Sequence, residues 1–93
     1  MPDLATKTAR YEELLATALV EATVAVPAET PLATAAAEFE GMAEAYLEDG
    51  RHFREDGNDV DALAAFSYGH AWLDAGARIG LFDVPEDGHL FTV

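Results

Sequence analysis

His70 and Asp74 stand four residues apart, and so do Glu48 and His52. On a helix that interval places both side chains on one face. An imidazole beside a carboxylate is a pair that orients a proton or holds a metal ion. If a helical hairpin brings the two pairs together, Glu48, His52, His70 and Asp74 offer four donors of suitable type for a divalent cation. Ser67, one turn before His70, adds a hydroxyl within reach of the imidazole. No orienting third group or oxyanion donors for a nucleophile can be picked out of the sequence. Glu40, Glu44 and Glu48 form an acidic line suited to a cation or a basic partner. Each feature has a plainer counterpart, because eighteen acidic residues and three histidines in 93 positions also produce such pairs as solvated helix edges. No spacing here calls for a cofactor.

These side chains act only where elements hold them, and the chain divides into three helical segments. Asp3 suits an N-cap, and apolar residues recur behind it at Leu4, Tyr11, Leu15, Ala18 and Ala22, which predicts a helix over about 3–24. Pro27 and Pro31 then mark a loop. Thr30-Pro31 reads as an N-cap with proline in the first turn. Leu32, Ala35, Ala36, Phe39, Met42, Ala43, Tyr46, Gly50 and Phe53 come next at threes and fours, which predicts a helix over about 31–56. Gly57 suits a left-handed C-terminal residue. Asn58 or Asp59 caps a third helix, about 59–82, after almost no loop, so the second and third helices fold back on one another. The expectation is an all-α, antiparallel three-helix bundle, with residues 1–93 as one domain. Residues 83–93 form a short irregular tail, broken at Pro85 and Gly88, that either docks on the bundle or stays free to bind a partner; docking is expected.

Projecting the third helix at about 100° per residue changes which residues matter. Ser67, His70, Asp74 and Arg78 share one narrow polar strip. Ala62, Ala65, Gly69, Gly76 and Gly80 gather into a ridge of very small side chains. Tyr68, Trp72, Ala75 and Ile79 cluster opposite His70. Glycine inside a helix costs about 1 kcal/mol relative to alanine, so several on one line imply that a neighbour packs closely there. The residues expected to serve packing or an interface are therefore Tyr68, Trp72, Gly69, Gly76, Ile79 and Phe82. Glu48, His52, His70 and Asp74 remain the candidate metal ligands.

Composition narrows the function. Five bases against eighteen acids give a net charge of −13, which disfavours nucleic acid and anionic membrane as partners, since both need clustered Lys and Arg. Such an acidic surface, with a single lysine at Lys7, fits a halophilic cytosol, where salt screens carboxylate repulsion; an ordinary acidic protein is the alternative. There is no cysteine for a disulfide or a thiolate metal site. The most apolar window, from Leu14 to Ala28, is interrupted by Glu21 and closed by Pro27, too short for a span of about 20 apolar residues. "MPDLATKTAR" lacks the apolar run of a secretion signal, so a cytoplasmic protein is expected.

Residues 46–82, "YLEDGRHFREDGNDVDALAAFSYGHAWLDAGARIGLF", carry a Tyr-Leu-x-Asp start, a Gly-Asn-Asp break and an Ala-Phe-Ser-Tyr…Trp-Leu-Asp-Ala run. In these the chain resembles the short archaeal proteins grouped as domain of unknown function 357. The resemblance implies a three-helix bundle and an archaeal source, and it brings no activity with it. Two functional readings are compatible with these residues. The first is a non-catalytic helical protein acting through protein–protein interaction or self-association, as a homodimer, because the third helix carries more apolar surface than two neighbours cover. The alternative is a small metal- or ligand-binding module, with hydrolytic activity as a further possibility, using His52, His70 and nearby carboxylates.

Overall fold

Each helix begins where a short polar side chain satisfies its first free amides. In the computed structural model, which describes residues 3–85 and Phe91, the Asp3 carboxylate accepts from the Thr6 amide at 2.7 Å and opens α1, Leu4–Glu21. Thr30 accepts from the Ala33 amide at 3.2 Å and opens α2, Pro31–Glu55, with proline in the first turn. Asn58 accepts from the Asp61 amide at 3.2 Å and donates through Nδ2 to the Asp61 carboxylate at 2.7 Å, opening α3, Asp59–Arg78.

Two helix ends share one geometry. After α2, the Asn58 amide donates to the Phe53 carbonyl and the Gly57 amide to the Arg54 carbonyl; after α3, Leu81 donates to Gly76 and Gly80 to Ala77. This is the Schellman arrangement, which needs a left-handed residue just past the helix, and Gly57 (φ 76°) and Gly80 (φ 85°) supply it. Gly80 therefore leaves the small-residue ridge to which its spacing assigned it. It terminates α3 four residues earlier than expected.

Beyond Gly80 the chain enters a two-residue antiparallel ladder. β1, Thr23–Val24, pairs with β2, Phe82–Asp83, with Thr23 opposite Asp83 and Val24 opposite Phe82. The Ala25 amide donates to the Leu81 carbonyl at 2.8 Å and extends the join. The ladder also explains why α1 stops at Glu21 rather than near residue 24. It turns the chain so that Leu81 and Phe82 enter the core.

The three helices form an all-α bundle running up, down and up, with α3 touching both others more extensively than they touch each other. The core is Leu15 and Ala18 of α1, Ala36, Ala43 and Leu47 of α2, Ala62, Phe66 and Leu73 of α3, closed by Ala22, Leu81, Phe82 and Phe91. Thr8 is the buried polar residue among these elements: its hydroxyl donates to the Leu4 carbonyl at 2.7 Å and lies 3.4 Å from the Asp59 carbonyl, joining α1 to the start of α3. Among the described residues, no helix is long and apolar enough to cross a membrane. Of the tail, residues 86–90, 92 and 93 lie outside the described residues. Phe91 is described, and it is buried.

Candidate functional site

The first candidate is the polar strip of α3. His70 Nδ1 lies 3.2 Å from Asp74 Oδ2, with both side chains only 18% exposed. His70 Nε2 is buried and has no hydrogen-bond partner among the described residues. The Phe91 ring lies against the imidazole, 5.8 Å between centroids at a tilt of 33°. Ser67, a turn earlier, is exposed. The strip is thus wet at Ser67 and largely covered at His70 and Asp74. A helical projection registers direction within one helix and not what a distant segment such as Phe91 brings over it.

The second candidate is on α2. His52 lies 3.8 Å from Glu48 and 3.8 Å from Glu55, and all three side chains are largely exposed. The four candidate ligands stay as two separate pairs, Glu48 with His52 and His70 with Asp74. Among the described residues, no group of three or more His, Cys, Asp or Glu side chains converges as a metal site would require.

The small residues hold the bundle's closest approaches. A Cβ on Gly69 would meet Leu15 Cδ2 at 2.7 Å and the Ala43 carbonyl oxygen at 3.2 Å, so α1 and α2 both press against that point. A Cβ on Gly76 would overlap the Phe82 ring, and one on Gly50 would overlap Phe66. Phe66 and Phe82 therefore lie in notches that only hydrogen side chains leave open.

The opposite face of α3 is different. Tyr68 is 64% exposed and Ile79, the C-cap, is 66% exposed. Ala64, Ala71 and Ala75 are exposed between them, and Trp72 is half-buried, edge-on to Phe39 at 4.9 Å. Tyr68 leans on Tyr46, 5.8 Å between ring centroids. It stands as a ridge between two shallow hollows, one lined by Phe39, Ala71, Trp72 and Ala75, the other by Tyr46, Asp49, Phe53, Asp61, Ala64 and Ala65. Tyr68 and Ile79 thus stand at the surface. No third neighbour covers this side of α3 among the described residues.

One polar constellation had no signal in the spacing. Glu12 of α1 accepts from Arg51 Nε at 3.0 Å and from Arg54 Nη1 at 2.6 Å, tying α1 to the end of α2. Partial burial pushes the Glu12 carboxyl up, but the hydrogen bonds and charges of Arg54 and Arg51 outweigh it and hold the group below the ordinary carboxylate range. Its residues lie some forty positions apart in sequence, at 12, 51 and 54, and only the packing of two helices brings them together.

The family described as "Protein of unknown function (DUF357)" matches residues 10–82, from the first half of α1 to the start of β2. No curated protein and no solved structure matches the chain.

Proposed function

The chain belongs to the DUF357 family of proteins of unknown function, and we propose that it is a non-catalytic protein that works by protein–protein contact, with the outer face of α3 as the contact surface. One observation carries this. In a chain that is 25% charged, Asp74 is the one Asp, Glu, Lys or Arg between Ala62 and Ala77. The exposed positions of that stretch are Ala64, Ser67, Tyr68, Ala71 and Ala75. An exposed strip of aromatic and small apolar residues, rimmed by charge, has the character of an interface core. The acidic balance of the rest of the surface favours a protein over nucleic acid as the partner.

A photo-cross-linking side chain at Ala71 tests it. In source cells at their native salt, position 71 should capture a protein chain, self or other, while the same group at Val20, 78% exposed on α1, should capture none. Absence of any captured chain at 71 contradicts the assignment. The metal-binding alternative has a separate test in calorimetric titration with zinc. With the donors in pairs, no saturable site is expected, and stoichiometric binding lost in His70→Ala would restore that alternative.

A further inference from the structure

Resting on the contact function above, we propose that the partner on this face is a second copy of the chain, with the two α3 helices packed antiparallel about a two-fold axis passing close to Ala71. A two-fold interface must be self-complementary: each large residue that projects from the surface has to meet a small one on the same surface of its mate. The outer face of α3 has that pattern. From Ala64 to Ile79 its exposed or half-buried large residues are Tyr68, Trp72 and Ile79, and its exposed small ones are Ala64, Ala71 and Ala75; Val60, exposed one turn before Ala64, lies at the end of the face. An antiparallel register centred between Ala71 and Trp72 sets Tyr68 opposite Ala75 of the other copy, Trp72 opposite Ala71, and Ile79 opposite Ala64. Each of these three large residues faces an alanine, and every pair occurs twice. Tyr68 then enters the hollow that Phe39, Ala71, Trp72 and Ala75 line.

Charge selects the same face. Two copies each carrying −13 repel over most of their surfaces, and a face without carboxylates in its middle offers a less unfavourable approach. Asp74, the charged residue of that stretch, borders the strip and is engaged by His70, with only 18% of its side chain exposed. Asp49 and Asp61 line the far hollow, beyond Ala64 from the proposed axis. Screening salt shortens the range of the remaining repulsion from about 10 Å at 0.1 M to about 3 Å at 1 M, so association strengthens as salt is raised.

The chain's lack of cysteine allows a direct test on the full-length protein. Ala71→Cys treated with a short bis-maleimide in molar salt should give a covalent dimer, while Val20→Cys should stay a monomer. Adding Tyr68→Glu to Ala71→Cys should reduce cross-linking by roughly tenfold or more, the loss expected for a central aromatic anchor. Circular dichroism of each variant establishes that it is folded; if Tyr68→Glu is not, Ala75→Glu, exposed on the same face, replaces it. A monomeric Ala71→Cys overturns the self-pairing. If the photo-cross-linker at position 71 still captures a different protein, contact through α3 stands and only the choice of partner falls; if it captures nothing, both fall.

Discussion

A single methyl group has opposite consequences at two glycines of α2. Gly50 faces Phe66 so closely that a Cβ would overlap its ring, whereas Gly41 has nothing within 4 Å of the same position. Gly50→Ala should destabilise the protein by about 1–3 kcal/mol through overpacking, and Gly41→Ala should stabilise it by up to about 1 kcal/mol through helix propensity; thermal melts of the two variants give the signs directly. At Glu12 the prediction concerns pH. The folded carboxyl titrates below its unfolded value, so the unfolded chain binds more protons as acid is added. The stabilisation from this group is therefore complete above the ordinary carboxylate range and is lost as pH falls through the depressed folded value. Glu12→Gln should cost about 1 kcal/mol at neutral pH, and the gap between it and wild type should close on acidification; a gap unchanged in acid would show that the arginines contribute no ionic stabilisation. Residue types alone drew attention to His70 and Asp74. Phe91, whose ring lies against His70, is far along the chain and left no trace in local spacing.

Helix starts were legible because they are chemical: Asp3, Thr30-Pro31 and Asn58 each accept the amide that their type and position suggest. The ends of α1 and α3 were not, since apolar residues continue past both, and the ladder that redirects them is too short to have a period of its own. Phe82 is where that ladder meets the core, buried against Gly76. Phe82→Ala should cost about 3 kcal/mol or more through the cavity it leaves. Gly76→Ala should be destabilising in wild type and much less so in the Phe82→Ala background, where its methyl group occupies vacated space. A double-mutant cycle measures that coupling, and strictly additive costs would show that the two residues do not share the notch.

At the scale of the molecule, charge and shape act together. The ridge of Ala62, Ala65, Gly69 and Gly76 was legible as a packing surface, since helical projection alone collects it. The exposure of Tyr68 and Ile79 was not, because it depends on there being no fourth element over that side of α3 among the described residues. A surface of −13 also means that folding draws acidic groups together, so thermal stability should rise with added salt as repulsion is screened; a melting temperature indifferent to salt would remove that expectation. The same screening governs the central claim, that the outer face of α3 is a surface for contact with a second copy. Sedimentation equilibrium in molar salt tests it most directly: wild type should approach twice its 10.0 kDa mass with rising concentration and Tyr68→Glu should remain a monomer, whereas a wild type that stays monomeric throughout, or a Tyr68→Glu variant that dimerises equally well, would contradict it.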